Sequence, residues 1–482
     1  MATKLTAVIP ITTEIKKSER DIFERQRRFA TTLRGSTVTE RLAKLEKLRL
    51  VLERRRDDIN QAAAADFGKP AAEVELTEIF PVLHEIAHAK RHLKKWMKPV
   101  SVSATRAMLG TAAQIRHEPK GVCLIISPWN YPFNLTFGPL VSAIAAGNTA
   151  MLKPSELTPH CSQLIREIVE ELYSPDEVAV FEGEAEVAQH LLSLPFDHIF
   201  FTGSPAIGRL VMRAASEHLT SVTLELGGKS PAIVDETANL ENAARNIVWG
   251  KFANNGQTCI APDYVYVHQS VRDRFLEKAA QQIGQMYGTT AEAVGKSQDY
   301  CRIVNSRHFE RLQGLLDDAR QKGASIAAGG ATEASTRFIA PTILTDVPIE
   351  AKVMQEEIFG PLLPVLVYTD LDQVLKDINS RPKPLALYVF SKDKARTEKV
   401  LRQAPAGGSC VNQCVVHFLH GNLPFGGVNN SGIGSAHGVY GFKAFSHERA
   451  VLVDHFSITH WLFPPYTRLV KMLIHMTSRY FA

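Results

Sequence analysis

The chain of 482 residues is long enough to form two or three domains with sizeable cores. Its apolar content of 45% and charged content of 22% are ordinary for a globular protein, and its formal net charge of +5 is small for this length. Acidic and basic residues are mixed through most of the sequence, which contains no RNP, zinc-finger or leucine-zipper pattern. We therefore predict no nucleic-acid partner.

The cysteines and the N-terminal residues indicate the compartment. The six cysteines, which show no spacing typical of a disulfide framework, are Cys123, Cys161, Cys259, Cys301, Cys410 and Cys414. The first twenty residues lack the apolar segment of a secretory signal peptide. Both features favour a reducing cytoplasm. Cys410 and Cys414 lie four residues apart without a second pair of ligands, so the sequence predicts no metal site there.

Helices are predicted for most of the N-terminal part of the chain. Residues 1–16 form an irregular lead. From Ser18 the pattern becomes helical and highly charged, with an apolar stripe formed by Leu42, Leu45, Leu48 and Leu52. A further helix is predicted over 71–96, with a kink at Pro81 because proline cannot donate a backbone hydrogen bond.

A zinc-protease pattern occurs within this second helix. Residues 84–88 read His-Glu-Ile-Ala-His, and His92 continues the same helical face. The pattern fixes only three of its five positions, and the extension found in metzincins is absent from the sequence. We therefore interpret His84, His88 and His92 as a surface stripe and predict no metal site.

The next part of the chain alternates between strands and helices. Residues 99–121 break the helical pattern and predict a small β-hairpin or arm. The strands predicted after it cover 122–127, 149–153, 178–181, 198–201 and 222–226, and the helices between them begin near Leu135, Pro159, Ala185 and Pro205. Short apolar strands separated by helices are typical of a parallel, doubly wound sheet, whose ligands bind beyond the carboxyl ends of the strands.

A second α/β region is predicted over 231–412. Its predicted elements are helices from Val271 and His308 and strands over 363–368 and 386–390. The tail adds a glycine-rich segment and a strand over 450–454. No internal repeat or low-complexity linker marks a boundary between the two regions.

A cysteine in a loop carries the clearest chemical signal. Residues 254–262 read Asn-Asn-Gly-Gln-Thr-Cys-Ile-Ala-Pro, between a predicted helix and an apolar strand. A loop thiol near backbone N–H groups can become a nucleophilic thiolate, whereas most other cysteines are buried and structural. The nonapeptide resembles the active-site signature of the aldehyde dehydrogenase superfamily, and the following Asp263-Tyr264-Val265 resembles its class 3 branch of fatty and aromatic aldehyde enzymes. The resemblance implies that Cys259 is the nucleophile.

An oxyanion donor and a general base are the other groups that this chemistry needs. Thiolate attack on an aldehyde gives an alkoxide, which backbone N–H groups and commonly a side-chain amide stabilise. Asn130, within Ser-Pro-Trp-Asn-Tyr-Pro, resembles the family's oxyanion amide, although a turn-forming asparagine also fits this position. Glu225, in the run 223–230, resembles the family's general base for thioester hydrolysis; the alternative is a strand-end carboxylate that reaches solvent.

Three segments resemble the cofactor-binding motifs of the family. Residues 201–208 follow a strand and begin a helix, so their backbone can approach a pyrophosphate at the helix N-terminus. Residues 153–156 resemble the motif that meets the adenosine ribose, and residues 356–361 the one that contacts the nicotinamide ribose. The residues that the resemblance assigns to cofactor binding are Trp129, Lys153, Glu156, Gly203, Ser204, Gly208, Leu226, Glu357 and Phe359.

The resemblance extends over nearly the whole chain and implies an α/β aldehyde dehydrogenase fold. The implied domains are a Rossmann-like NAD(P)-binding domain (1–98 and 122–225), an α/β catalytic domain (226–433) and a small β bridging domain (99–121 and 434–482) that forms a homodimer. One departure is Asn429, where the family usually has glycine. Asparagine is the next best residue at positive φ, so we expect little effect.

The implied reaction is oxidation of a medium- or long-chain aliphatic, or aromatic, aldehyde to the carboxylic acid by NAD or NADP, through a thiohemiacetal and a cysteine thioester. CoA-acylating relatives typically lack a carboxylate at the position of Glu225, so its presence argues against that reaction. A catalytically idle relative would have lost Cys259, Glu225 or Asn130, and all three are present. Glu156 can bind a ribose diol and would repel a 2′-phosphate, which favours NAD.

The last residues predict an amphipathic helix after Pro465. Its polar stripe consists of Arg468, Lys471, His475 and Arg479, and no acidic residue follows Asp454. The helix is too short and too charged to span a bilayer. Three roles remain open: packing on the dimer interface, capping of the substrate tunnel as in the fatty aldehyde branch that the chain resembles, and peripheral contact with an anionic membrane surface.

Overall fold

The computed structural model describes residues 17–105, 108–457 and 459–480. The predicted irregular lead, residues 1–16, lies outside the described residues. The helices are α1 Lys17–Leu33, α2 Val38–Arg54, α3 Arg56–Phe67, α4 Ala71–Val74, α5 Phe80–Trp96, α6 Asn134–Ala146, α7 Pro159–Leu172, α8 Ala185–Leu192, α9 Pro205–Ser216, α10 Leu240–Phe252, α11 Arg272–Met286, α12 Ala291–Lys296, α13 Ser306–Gln321, α14 Lys352–Gln355, α15 Leu371–Ser380, α16 Lys394–Gln403, α17 Gly438–Ala444 and α18 Arg468–Tyr480.

The strands are β1 Val100–Val102, β2 Thr111–Pro119, β3 Val122–Ile126, β4 Thr149–Lys153, β5 Val178–Val180, β6 His198–Gly203, β7 Ser221–Leu226, β8 Pro231–Val234, β9 Tyr264–His268, β10 Ser325–Ala328, β11 Thr332–Glu333, β12 Phe338–Ile339, β13 Thr342–Thr345, β14 Leu362–Tyr368, β15 Ala386–Phe390, β16 Gly408–Val411, β17 Gly432–Ile433 and β18 Ser446–Asp454. Strands β11 and β12 pair with each other, and the others form three larger sheets.

The first sheet has the strand order β17-β7-β6-β3-β4-β5. Strands β3 to β7 are parallel, and the short β17 pairs antiparallel with β7. Alternate residues of β3 enter separate apolar clusters: Cys123 and Ile125 pack with α5, α6 and α7, whereas Leu124 and Ile126 pack with α1 and α9. Because both faces are covered, all five residues of β3 are buried. The predicted parallel, doubly wound sheet is confirmed, with strand ends shifted by one or two residues.

The second sheet has the strand order β10-β13-β14-β9-β8-β15-β16. It is parallel except for the edge strand β10, which pairs antiparallel with β13. The strand predicted over 386–390 coincides with β15, and β14 begins one residue before the predicted 363–368. The loop of Cys259 connects α10 to β9, which is the central strand of this sheet.

The third sheet is small and antiparallel, with the order β1-β2-β18. Strands β2 and β18 pair over nine residues, from Pro119 opposite Ser446 to Thr111 opposite Asp454. The predicted hairpin over 99–121 is present as β1 and β2, and β18 begins four residues before the predicted 450–454. Most residues of β1 and β18 are exposed.

The helix predicted over 71–96 is interrupted before Pro81. A π-helical turn, Glu75–Ile79, separates α4 from α5, and Pro81 lies in the first turn of α5. The backbone stays in the right-handed helical region through the π turn, and Phe80 N donates to Glu75 O. Pro81 itself cannot donate a hydrogen bond, and a π turn before a proline is an irregularity of the kind that bends a helix.

The histidine stripe is only partly on the surface. His84 is exposed, but His88 is buried and its ring lies 4.3 Å from the ring of His92 and 5.7 Å from that of Trp96. The interpretation as a surface stripe is therefore wrong for His88, because this face of α5 packs against α17 through Trp96 and Phe442. Among the described residues, no group of three or more His, Cys, Asp or Glu side chains has a geometry that could hold a metal ion.

None of the helices in the described ranges is both long enough and apolar enough to cross a membrane.

Candidate active site

A cavity of about 210 Å³ has Cys259 and Glu225 in its wall. The wall comes from both α/β regions: helices α5 and α6 and the end of β7 on one side, and α10 with the loop after it on the other. Most of the lining is apolar, including Leu135, Phe200, Trp249, Ile260, Phe418 and Phe425. Such a cavity suits a hydrocarbon chain or an aromatic ring better than a charged molecule.

The chain turns sharply just before Cys259. Here Asn254, Asn255 and Gly256 lie in the left-handed region, with φ of 51°, 55° and 72°. Asparagine and glycine tolerate this region best. A Cβ on Gly256 would also collide with the carbonyl oxygen of Gly360. The backbone that carries the thiol therefore requires the Asn-Asn-Gly part of the motif.

Side-chain amides hold this turn against its surroundings. Asn254 Nδ2 donates to Asn130 O at 2.9 Å and to Gln257 O at 3.1 Å. Gln257 Nε2 donates to Arg302 O at 3.1 Å. The bond to Asn130 O joins the loop of Cys259 to the loop of Asn130, and the bond from Gln257 joins it to Arg302.

The surroundings of Cys259 favour its thiol form. Burial raises the pKa of Cys259 to about 12, together with the charges of Glu357 and Glu225, although the backbone N–H groups of Cys259 and Ile260 act in the opposite direction. The backbone N–H groups expected to favour a thiolate are present, but burial and the two carboxylates act more strongly than they do. A base has to accept the proton of Cys259 before the sulfur can attack.

Glu225 is a buried carboxylate at the carboxyl end of β7. Its exposed fraction is 5%, and neither carboxylate oxygen has a hydrogen-bond partner among the described residues. Burial raises the pKa of Glu225 well above its usual range. The alternative of a strand-end carboxylate that reaches solvent is wrong. An unpaired carboxyl group in a cavity wall is costly to maintain, and it can accept a proton from a bound group.

Asn130 lies beside the loop of Cys259. Its Nδ2 donates to Gln257 O at 2.9 Å, two residues before the thiol. An amide carries two hydrogens, so a second acceptor can be bound. The next residue adds another link, since Tyr131 Oη and Thr258 Oγ1 are hydrogen-bonded at 2.6 Å. The structure thus brings together the three residues that the sequence assigned to catalysis.

Two of the candidate cofactor residues lie at the carboxyl end of β4. Lys153 is buried, and its Nζ pairs with Glu156 Oε2 at 2.6 Å. The carboxylate of Glu156 is itself exposed. The pair therefore presents a carboxylate to solvent at the edge where ligands of a parallel sheet bind.

The start of α9 carries the next group of candidates. Ser204 caps the helix, since its hydroxyl accepts from Ile207 N at 3.4 Å. A Cβ on Gly208 would lie 2.7 Å from Leu226 Cδ2, so the glycine lets α9 approach β7 closely. A Cβ on Gly203 would meet the ring of Phe201. Both glycines thus have a packing reason in addition to their match with the cofactor motif.

Aromatic rings lie beside Trp129. The ring of Phe359 meets that of Trp129 edge to face at a centroid distance of 5.4 Å, and the ring of His308 lies 5.1 Å away on a tilted plane. Phe359 has a φ of 50°, an uncommon value for a residue with a side chain. The segments 127–132 and 356–361, which are distant in sequence, therefore meet here.

Glu357 lies against the end of β7. A Cβ on Gly227 would collide with its carboxylate, so the glycine makes room for it. Burial and the nearby charge of Asp263 raise the pKa of Glu357 to about 8. Its Oε1 has no hydrogen-bond partner within the described part of the chain. This orphaned oxygen is a fitting acceptor for a hydroxyl group of a ribose.

Other charged residues of the site carry no motif in the sequence. Lys251 is buried in α10, and burial lowers its pKa to about 8. Glu85 and His437 are in the cavity wall, where Glu85 accepts a hydrogen bond from Gly438 N at 2.7 Å. Their signal in the sequence is weak, since Lys251 and Glu85 are single charged residues within helices and His437 lies just before α17.

Asn429 adopts the backbone conformation expected of a residue that replaces glycine. Its φ is 56°, and its Oδ1 accepts a hydrogen bond from Lys383 Nζ at 2.7 Å. The departure from the family pattern is thus compatible with the turn before β17.

Comparison with known proteins agrees with this architecture. The chain matches the aldehyde dehydrogenase family model over residues 13–451. It is 44% identical to the 4,4'-diaponeurosporen-aldehyde dehydrogenase of Staphylococcus aureus, over 88% of this chain and 91% of that protein. It is 42% identical to the dimeric NADP-preferring aldehyde dehydrogenase of Rattus norvegicus, over 90% and 94%. The solved substrate-bound structure of Staphylococcus aureus AldH has a TM-score of 0.90 and 41% identity, with coverage of 95% and 99%. The chain therefore belongs to the aldehyde dehydrogenase family and is an aldehyde dehydrogenase.

Proposed function

We propose that the enzyme oxidises medium- or long-chain aliphatic, or aromatic, aldehydes to carboxylic acids with NAD. The proposal rests on one observation: Cys259 and Glu225 lie in the wall of the same apolar cavity, and Asn130 donates a hydrogen bond to the loop that carries Cys259. The test is a panel of aliphatic aldehydes of increasing length and of aromatic aldehydes, with cofactor reduction followed by absorbance. If none of them is oxidised, the proposal fails.

The first step is loss of the proton of Cys259 and attack of sulfur on the aldehyde carbon. The carboxylates of Glu357 and Glu225 are the charges that raise the pKa of this thiol, and in ionised form either can accept its proton. Glu225 lines the same cavity as Cys259, and a retained burst of reduced cofactor in Glu225→Gln would assign this step to Glu357.

Formation of the C–S bond moves an electron pair onto the aldehyde oxygen. We assign the second hydrogen of Asn130 Nδ2 and a backbone N–H beside Cys259 as donors to this oxyanion. Asn130 is already held by Gln257 O at 2.9 Å, so its amide needs little reorientation as the charge develops. Preorganised donors in a buried site stabilise such a charge more than water does.

The aldehyde dehydrogenase family uses NAD or NADP, and one relative is named as NADP-preferring. When bound, it accepts the hydride that leaves the former aldehyde carbon, and Cys259 then carries a thioester. The orphaned Oε1 of Glu357 fits a hydroxyl donor of the nicotinamide ribose. The other residues that we propose to hold the cofactor are Trp129, Lys153, Glu156, Gly203, Ser204, Gly208, Leu226 and Phe359.

Glu225 is the proposed base for release of the acid. A water molecule attacks the thioester carbon, Glu225 accepts its proton, and the C–S bond breaks to return Cys259. In the CoA-acylating alternative the acyl group would pass to the thiol of CoA and Glu225 would have no such task. Formation of an acyl-CoA when CoA is added would support that alternative.

NAD is expected to give a higher kcat/KM than NADP. The carboxylate of Glu156, paired with Lys153 at 2.6 Å, can accept hydrogen bonds from ribose hydroxyls but repels a 2′-phosphate. The rat relative is named as NADP-preferring, so a preference for NAD would distinguish this enzyme from that relative. Glu156→Gln should raise kcat/KM with NADP, relative to NAD, by about tenfold or more, which corresponds to roughly 1.4 kcal/mol of like-charge repulsion. A wild-type preference for NADP would contradict the assignment.

We further propose that the enzyme is a homodimer to which α18 contributes. No residue of α18 is buried within the described part of the chain. Four of its exposed apolar side chains form one stripe, at i, i+3, i+7 and i+11: Leu469, Met472, Met476 and Tyr480. Ile474 is also exposed but lies off this stripe. A continuous apolar stripe of this kind indicates a partner surface, and the proposed partner is a second copy of the chain.

Deletion after Tyr466 is expected to convert the dimer to a monomer, because it removes this stripe. Light scattering after size-exclusion chromatography measures the change. Substitution of Arg468, Lys471 and Arg479 by glutamine is the matched control, since it leaves the apolar stripe in place.

Two other outcomes of the deletion would favour the competing roles of α18. A truncated dimer that loses salt-sensitive binding to anionic vesicles would support a membrane contact. A truncated dimer that selectively loses activity on long aldehydes would support capping of the cavity. No described residue of α18 is part of the cavity wall, so at present no contact favours the capping role.

A further inference from the structure

Three charged side chains lie beneath the two loops that carry Asn130 and Cys259. They come from one segment: Lys69 precedes α4, Glu73 is in α4, and Glu78 is in the π-helical turn. The side chains of Lys69 and Glu78 are fully buried, and Lys69 Nζ pairs with Glu78 Oε1 at 2.9 Å. A buried ion pair is weak evidence for a stabilising role, because desolvation of the two charges offsets their attraction.

The ion pair supports the loop of Asn130 from below. Lys69 Nζ lies 3.5 Å from Asn130 O and 3.9 Å from the centroid of the Tyr131 ring, a cation–π contact. Glu78 Oε2 accepts a hydrogen bond from Asn134 N at 3.0 Å, at the start of α6. One ion pair therefore contacts both ends of the segment 130–134.

The same segment also contacts the loop of Cys259. Glu73 Oε1 accepts a hydrogen bond from Asn254 N at 2.7 Å. Asn254 Nδ2 in turn donates to Asn130 O, the same carbonyl oxygen that Lys69 approaches. The two loops thus meet at one carbonyl group above the buried charges.

The charge of Lys69 acts on its own neighbours. Burial raises the pKa of Glu73 and Glu78, and the charge of Lys69 acts against this shift. The largest charge effects on the pKa of Cys259 come from Glu357 and Glu225. The contacts of Lys69 with Asn130 O and the Tyr131 ring therefore indicate an effect through the position of the Asn130 loop.

We propose that Lys69 and Glu78 are positioning residues that hold the Asn130 amide at the distance from Cys259 at which it stabilises the oxyanion. This inference rests on the function proposed above. If the ion pair is lost, the segment 130–134 loses two of its buried contacts and the amide moves away from the developing charge. Complete loss of an oxyanion donor lowers kcat by about 10²–10³-fold, and a misplaced donor is expected to lower it by a smaller factor.

The test uses the double variant Lys69→Met/Glu78→Gln. It removes both charges of the pair, the glutamine oxygen can still accept from Asn134 N, and Glu73 keeps its hydrogen bond from Asn254 N, so the thermal unfolding midpoint should stay close to that of the wild type. The pre-steady-state burst of reduced cofactor, which reports attack and hydride loss, should slow by about tenfold or more. The pH midpoint for alkylation of Cys259 should not change, since the charges acting on the thiol are retained.

A second ion pair provides a matched control. Lys44 in α2 pairs with Glu177 before β5, and neither residue contacts the two loops. Lys44→Met/Glu177→Gln should therefore keep the wild-type burst rate. A folded Lys69→Met/Glu78→Gln variant with a wild-type burst rate would overturn the inference, because the ion pair would then be structural only.

If the double variant does not fold, Glu78→Asp decides the question. It keeps both charges but shortens the acid by one methylene, so it cannot reach both Lys69 and Asn134 N in the present geometry. A slower burst supports the positioning role, and an unchanged burst contradicts it. Failure of the proposed function is distinguishable, since the wild-type enzyme itself would then oxidise no aldehyde.

Discussion

Cys259→Ala is expected to lower aldehyde oxidation by at least about 10⁴-fold while NAD still binds. Without the sulfur no C–S bond can form, so neither the thiohemiacetal nor the thioester arises. The residues proposed to hold the cofactor lie in or next to β4, β6, β7 and α9, in the loop after β3 and in the segment 356–361, and none of them is substituted in this variant. Initial rates of cofactor reduction and calorimetric titration with NAD measure the two properties separately.

Cys161→Ala is the matched control for this substitution. Cys161 is a buried thiol in the apolar cluster around α7, outside the cavity wall. It should keep the wild-type rate. Turnover of Cys259→Ala above about 1% of the wild-type value would contradict the nucleophile assignment, since removal of a true nucleophile costs far more.

Glu225→Gln is expected to separate the two halves of the reaction. The burst of reduced cofactor should remain if Glu225 mainly activates the hydrolytic water, because the thioester still forms. Steady-state turnover should fall by about 10² or more, as is usual when a general base is removed. Rapid mixing followed by steady-state assay measures both phases. If the burst disappears as well, Glu225 also accepts the proton of Cys259. An unchanged steady-state rate would show that another base activates the hydrolytic water.

The pH dependence gives an independent check on Glu225. Burial raises the pKa of Glu225, so the carboxyl group stays protonated to a higher pH than usual and cannot accept a proton there. Steady-state turnover of the wild type should therefore rise with pH as Glu225 ionises. This rising limb should be absent from the steady-state profile of Glu225→Gln, and its persistence would assign it to another group.

Local pattern was enough to predict most helices and strands. The strands β4 and β15 coincide with their predicted ranges, because each is a short apolar run between clear turn signals. The Asn-Asn-Gly turn before Cys259 also depends on local sequence, because its three residues have positive φ values, which asparagine and glycine tolerate best. The predicted surface position of His88 is wrong, because the burial of one side of α5 depends on packing against α17, more than 300 residues later in the sequence.

The sequence alone determined which residues could carry the chemistry, since a motif records the residue types that a reaction needs. Only the tertiary structure decided their electrostatic state. The thiol of Cys259 has a raised pKa because folding buries it near Glu225 and Glu357, and Glu225 lacks a partner among the described residues because its strand ends in an apolar cavity. The contacts of Lys69 with Asn130 and of Glu73 with Asn254 span 61 and 181 residues of sequence. Burial and charge pairing over such separations depend on where distant segments meet, which no local pattern contains.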